Sequence, residues 1–415
     1  MRVAQSVRKL FRGCLDWCHA SRFSAVIAVL LACVRGGRLS ITSLGRSLST
    51  STSHKHAIKR VDRLVGSPRF WAERLAWYRE LARRAVGNAQ RIVVLLDWTE
   101  VNGRFWTLTA TLAGPGRGIP IYQEVHRSKR GKREIHRQFL VRLSQVLPRV
   151  PRVVLVADAE YRTPFFRACR AYGFDFVIRL RRPCSVMFGF DFASFQELMR
   201  SAGRHARCLG LGQPYNRARR GADPVRVVLG SRPTRRRTRD SDGFYRRRAL
   251  EPWLLATTLE NEPATDIVNI YAKRMQIEET FRDTKNVRFG WGLELSGTQQ
   301  PERMDALFLL AALAAFVVII AGLTAENHGH GRRYQANTTR ARRVLSAFTL
   351  GTLILREELA RATLQLCALQ RAISVVPSYR RKRRRDESRA FGDRTPHDLY
   401  CADCGDHFAE FGWPD

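Results

Sequence analysis

Tyr271, Arg274, Glu278 and Lys285 place a phenol, two cations and a carboxylate within one short segment, spaced three, four and seven positions apart. At about 100° per helical residue the four fall within roughly 60° of one another, so a helix here presents one polar stripe. Such a stripe suits a metal ion and a phosphate. Ile267, Ile270, Ile277 and Phe281 form an apolar stripe beside it, which would anchor the helix to a core while the polar face meets a cleft. A solvated charged face is the other reading of the same pattern.

Partners for Glu278 must come from other elements. Two β-branched runs, residues 92–96 and 153–157, end in Asp97 and Asp158. Uninterrupted apolar runs of this length suit strands at the centre of a sheet covered on both faces. If the strands are neighbours, their ends bring the two carboxylates together. With Glu278 they make a three-carboxylate cluster that is costly to hold without a cation, and a divalent metal is the natural counter-charge.

The surrounding chain supplies a scaffold. Residues 91–182 read as β-β-β-α-β-α-β, with strands at 104–113, 119–125 and 174–180 and helices at 133–147 and 163–172, the order of a ribonuclease H-like α/β core. The Gly-rich stretch 114–118 is a hairpin turn and not a phosphate cradle, because no Gly-Lys-Ser/Thr and no helix follow it. Between 183 and 262 the pattern breaks into short strand-like pieces around an arginine-rich stretch, residues 232–248, implying a β-rich insertion. Those guanidinium groups, close to Tyr245 and Trp253, suit a DNA groove; a solvated loop is the alternative.

Residues 1–90 read as helical. Helices at 41–48 and 54–65 across a tight turn at 49–53 are compatible with a helix-turn-helix reader, the second presenting Lys55, Lys59, Arg60 and Arg63. Ser67 and Pro68 would cap and start a further helix, 69–85. Residues 306–325 carry no charge and are long enough for a membrane span, but their Ala and Gly content and the absence of a second span favour a buried core helix. From residue 332 the chain reads as helical to about 373, followed by a basic cluster at 380–385. His397, Cys401, Cys404 and His407 are four possible zinc ligands, at a spacing too compact for a usual zinc finger.

Seventy-two Lys and Arg against thirty-seven Asp and Glu leave a net charge of +35, which implies a polyanionic partner. The excess of Arg favours nucleic acid over an anionic membrane, since a planar guanidinium makes paired bonds to phosphates and base edges. Nine Cys without regular pairing, and no secretory signal, point to a reducing cytosol.

The segments Asp97-Trp98-Thr99, Val156-Ala157-Asp158 and Pro252-Trp253-Leu254-Leu255, together with Tyr271, Arg274, Glu278 and Lys285, resemble the DDE transposases of bacterial insertion sequences. The similarity spans roughly residues 90–325 and is to the insertion-sequence-four group with its Tyr-Arg-Glu-Lys signature. The resemblance implies a helical DNA-binding domain (1–90), a ribonuclease H-like core in two parts (91–182 and 263–330), a β-rich insertion (183–262) and a helical, basic C-terminal region (331–415). It implies Asp97, Asp158 and Glu278 as catalytic metal ligands for Mg2+, with Mn2+ as substitute, and Tyr271, Arg274 and Lys285 as contacts to DNA phosphates. Trp253 would stack on a base extruded from the duplex; a buried core tryptophan is the competing reading. Expected partners are double-stranded transposon ends and target DNA, bound by a homodimer in the bacterial cytoplasm at the nucleoid, without a membrane. A hairpin intermediate is implied as well. Two other readings are a structure-selective nuclease or resolvase on the same fold and a non-catalytic DNA-binding repressor.

Overall fold

The apolar runs before Asp97 and Asp158 become β1 (Arg91–Val101) and β4 (Arg152–Ala157), parallel neighbours in register from Arg91 opposite Arg152 to Leu96 opposite Ala157. Their side chains alternate between two cores: Ile92, Val94, Leu96, Val153, Leu155 and Ala157 join one, while Val93, Leu95, Val154 and Val156 join the other. Both faces are buried, so neither strand needs a polar alternate position. The computed structural model describes residues 2–215, 223–231, 251–288, 290–336, 338, 343–357 and 366–374.

Ten strands form one sheet in the order β3-β2-β1-β4-β5-β10-β9-β8-β6-β7. β2 (Phe105–Leu112) and β3 (Ile119–His126) run antiparallel beside β1, and β5 (Asp175–Leu180) lies parallel to β4. Helices α7 (Lys132–Val146) and α8 (Thr163–Ala171) connect β3 to β4 and β4 to β5, so the mixed α/β order expected for 91–182 is present. The strands after residue 183 are not a separate sheet. β10 (Leu254–Thr257) pairs antiparallel with β5 and carries β9 (Val225–Leu229), β8 (Arg207–Tyr215), β6 (Ser185–Phe188) and β7 (Asp191–Ser194) outward as an extension of the same sheet, with α9 (Phe195–Arg200) following β7.

Before β1 stand α1 (Arg2–Leu10), α2 (Ala20–Val34), α3 (Ile41–Arg46), α4 (His54–Val65), α5 (Pro68–Ala72) and α6 (Arg74–Val86). Ser67 caps α5 and Pro68 opens it, but the single helix expected over 69–85 is interrupted at Glu73, whose carboxylate pairs with Arg22 of α2. The turn between α3 and α4 takes seven residues, 47–53, longer than the tight turn expected. Gly45 makes the crossing of these two helices possible, since a Cβ there would lie 2.5 Å from Ile58 Cα.

After β10 come α10 (Ala264–Ala272), α11 (Met275–Lys285), α12 (Pro301–Asn327), α13 (Ala347–Glu357) and α14 (Leu366–Ser374). The apolar stretch of α12 is long enough to cross a membrane and is wholly buried inside the protein, against β3, α2, α6, α13 and α14. It is the core helix expected from its composition. The arginine-rich stretch 232–248, the basic cluster 380–385 and the His397, Cys401, Cys404 and His407 group lie outside the described residues.

Candidate active site

Strand parity aims the carboxylates. Val93 and Leu95 face the core that contains Ile267, Ile270, Ile277 and Phe281 of α10 and α11, so Asp97, two positions on, faces the same side. Val154 and Val156 likewise lead to Asp158, just past the end of β4. Because Leu96 pairs with Ala157, the two aspartates stand one residue beyond a matched pair. Each also accepts a bond from the next backbone N–H, Trp98 to Asp97 Oδ1 at 2.8 Å and Ala159 to Asp158 Oδ1 at 2.7 Å, which orients the carboxylates.

Glu278 arrives on α11, but not by the single helix that the spacing suggests. Lys273 and Arg274 separate α10 from α11, and the junction is tightened by bonds across three residues, Arg274 N–H to Tyr271 at 2.9 Å and Gln276 N–H to Lys273 at 2.9 Å. The polar stripe is therefore split. Tyr271 turns inward, 3% exposed, with its ring edge-on to Trp253 at 4.9 Å, whereas Glu278 remains exposed. Trp253 is half-buried against this tyrosine.

Arg274 joins the acidic residues. Its guanidinium donates to Asp97 Oδ2 at 2.9 Å and to Glu278 Oε1 at 2.5 Å, with its own side chain 15% exposed. Burial opposes the Arg274 charge, but Tyr271, Asp97, Glu278 and Asp158 outweigh it and hold the guanidinium firmly protonated. Burial pushes the Asp97 carboxyl up to about 6; Arg274 and the Trp98 N–H resist that shift, and the charges of Asp158 and Glu278 add to it. Among the described residues no three metal-binding side chains already share an ion-sized site, and Arg274 bonds both Asp97 and Glu278. The donor set nonetheless fits a divalent cation: Asp158 and Glu278 supply hard carboxylate oxygens whose charge acts on the half-buried Asp97 carboxyl.

The Gly-rich turn between β2 and β3 has a positioning role that its sequence did not reveal. Gly114 donates its N–H to Gln276 Oε1 at 3.0 Å and accepts from Gln276 Nε2 at 2.9 Å, while Arg117 pairs with Asp283 at 3.0 Å and Glu279 at 3.1 Å. The hairpin thus clamps α11 along its length. Lys285, half-buried, donates to the Glu100 carbonyl on β1 at 3.1 Å, and burial lowers its pKa.

Other groups near the aspartates were not singled out by motif. Lys129 lies 4.0 Å from the Trp106 ring centre and 3.7 Å from Glu160, which also pairs with Lys132. Trp98 donates its indole N–H to His136 Nε2 at 3.0 Å, and burial lowers that imidazole to about 4, keeping it a neutral acceptor. The basic, otherwise unassigned residues 129–132 leading into α7 were the available signal. Lys55, Lys59, Arg60 and Arg63 are all exposed on α4, whose buried face of Ala57, Val61, Leu64 and Val65 packs toward α2, α3 and α12. They form a separate basic face.

The family described as Transposase DDE domain matches residues 88–317, more than half of the chain, and covers β1 through most of α12. No curated protein matches the chain. The match takes in both strand-end aspartates, Glu278 and the hairpin that clamps its helix, and the chain belongs to the DDE transposases.

Proposed function

We propose that the protein binds the ends of a mobile element, cleaves them by phosphodiester hydrolysis and joins the 3′ ends to target DNA, as a member of the insertion-sequence-four group. The observation that carries this reading is the meeting of Asp97 and Asp158 at paired strand ends, with Glu278 tied to Asp97 through Arg274. Asp97, Asp158 and Glu278 would hold two divalent ions, Mg2+ or in its place Mn2+, which supply activation of the attacking oxygen and stabilisation of the leaving one. Asp97 binds in its ionised form, releasing the proton that burial favours.

Arg274 holds Asp97 and Glu278 in the resting protein and would be free to bond a DNA phosphate where those carboxylates held ions instead. Lys285 at the end of α11 contacts a DNA phosphate, Tyr271 supports the approach from behind Arg274, and Trp253, held edge-on by Tyr271, offers a face to a base displaced from the duplex. Lys55, Lys59, Arg60 and Arg63 bind the outer part of the end sequence. The reaction runs from a nick at the element's end, through attack of the freed 3′ hydroxyl on the opposite strand and opening of the resulting hairpin, to strand transfer. Two protein copies pair the two ends.

The test is incubation with labelled end DNA, a target plasmid and Mg2+. Joined product and a hairpin species are expected with the unaltered protein, and Glu278→Gln should lower cleavage by at least about a thousandfold while retaining duplex binding. Cleavage without joining across the element's own ends would instead mark a structure-selective nuclease. Binding without any cleavage would mark a repressor.

A further inference from the structure

A cavity of about 420 Å³ lies beyond the C-terminal end of α11, and four of its lining residues are arginines: Arg35, Arg38, Arg288 and Arg356. Among the described residues no acidic residue lines it. Arg35 caps the C-terminus of α2, Arg38 precedes α3, Arg288 follows α11, and Arg356 sits in the last turn of α13. Three stretches distant in sequence therefore deliver like charge to one place. Arg35, Arg38 and Arg356 are exposed, and none of the three forms an ion pair among the described residues.

The walls are held by backbone. Leu39 donates its N–H to the Trp291 carbonyl at 2.8 Å, linking the α2–α3 connection to the segment after α11, and the Trp291 ring is fixed edge-on to Phe348 at 5.1 Å. Trp291 N–H in turn bonds Asp283 of α11 at 3.0 Å. Glycine is required where the walls come closest: a Cβ at Gly290 would lie 2.2 Å from the Asp283 carbonyl, and Gly36, at φ +102°, would bring one to 2.9 Å from Arg356 Nε. The chain keeps a shaped recess beneath the arginines.

The exposed guanidinium groups of Arg35, Arg38 and Arg356, with no acid lining the recess among the described residues, repel one another, and an anion that each can bind through two N–H groups relieves that repulsion. Position indicates which anion. From Glu278 to Lys285 at the end of α11 is about 10.5 Å at 1.5 Å per residue, about three steps of a duplex at 3.4 Å each. On its other side the cavity adjoins α3, the partner helix of α4.

We propose that this cavity is a phosphate-holding pocket gripping the DNA backbone between the basic face of α4 and the catalytic carboxylates. It takes one or two backbone phosphates of a duplex and fixes how far the scissile bond lies from the sequence held by α4. The inference rests on DNA being the substrate, as set out in the proposed function.

The test compares R35Q/R38Q/R356Q with R12Q/R149Q/R204Q, which removes the same charge from exposed arginines elsewhere, by titrating each with a plain labelled DNA duplex over a range of salt. Loss of one or two pocket phosphates should reduce the slope of log K against log salt by about 1–2 and weaken binding more than about tenfold at 0.1 M salt, with the control set changing it by less than about threefold. Should the triple variant not fold, Arg38→Gln alone, outside any helix, should reduce the slope by about 1. Equal loss in pocket and control variants, with binding by the unaltered protein intact, overturns the pocket and leaves the transposase reading standing. Failure of the unaltered protein to bind duplex overturns both. Binding that behaves as expected without strand joining supports the pocket and removes the joining activity.

Discussion

At the residue scale, the resting protein holds a cation of its own among the acidic groups. Arg274 bonds Asp97 and Glu278 together, so it competes with any metal for two of the three carboxylates. Removing one positive charge at hydrogen-bonding distance should strengthen divalent-ion binding, and Arg274→Gln is expected to bind Mn2+ about tenfold or more tightly by calorimetry while losing DNA cleavage. Unchanged or weaker Mn2+ binding would show that the arginine is not a competitor. With Asp97 raised to about 6, its proton must leave before a metal can bind, so the Mg2+ requirement for cleavage should rise about tenfold per pH unit below 6 and level above it. Titrations of Mg2+ at pH 5, 6 and 7.5 measure this. Asp97 and Asp158 were legible as candidates because each follows an uninterrupted apolar run suited to a central strand; that the two strands are parallel neighbours is set by the fold. The Arg274–Asp97 bond was not legible, since its partners lie 177 positions apart and meet only in the folded protein. The burial of Tyr271 was not legible for a local reason: the junction at Lys273 and Arg274 breaks the single helix assumed for the stripe, and the tyrosine lies buried beside Arg274 and Asp158.

At the element scale, α11 owes its position to the β2–β3 turn as much as to its apolar side. The turn was legible as a hairpin from its glycines, but its grip on Gln276 and Asp283 depends on side-chain reach across 162 positions or more, which no local pattern records. The extension of the sheet by β10, β9 and β8 was hidden for a similar reason: short strands separated by basic stretches read alike whether they join the main sheet or form their own. Close helix packing yields a firm expectation. A Cβ at Gly351 of α13 would lie 1.9 Å from the Val318 carbonyl of α12, and one at Gly322 of α12 would lie 1.8 Å from the Ala347 carbonyl. Neither obstacle is a side-chain end that could swing away, so Gly351→Ala should force the helices apart and cost at least about 2 kcal/mol. Denaturant midpoints check this, with Thr352→Ala on the same helix as a control expected to stay within about 1 kcal/mol.

For the whole molecule, pH acts on stability through a buried acid at the seam between α12 and the sheet. Asp305 accepts the Val125 N–H at 2.9 Å, and burial pushes its carboxyl up to about 7, opposed by Arg74. Between its ordinary value and 7 the native state keeps a proton that the unfolded chain has released, so stability should fall as pH rises through this window and level above it. Asp305→Asn keeps an acceptor for Val125 and removes the titration; its advantage over the unaltered protein should grow by about 2–4 kcal/mol from pH 4 to 7. Melting temperatures of the two proteins at pH 4.5 and 7.5 decide it: a constant difference sinks the assignment. α12 also determines what can be exchanged between relatives. One of its sides lies on β3 and others on α2, α4, α5 and α6, and a single apolar core runs through all of them. A recombination joint at residue 90 would strip one flank of a 27-residue apolar rod, so the N-terminal helices cannot be traded as a cassette. Change without disturbing the rod is open on the outer face of α4, where Lys55, Lys59, Arg60 and Arg63 are exposed while Ala57, Val61 and Leu64 are buried.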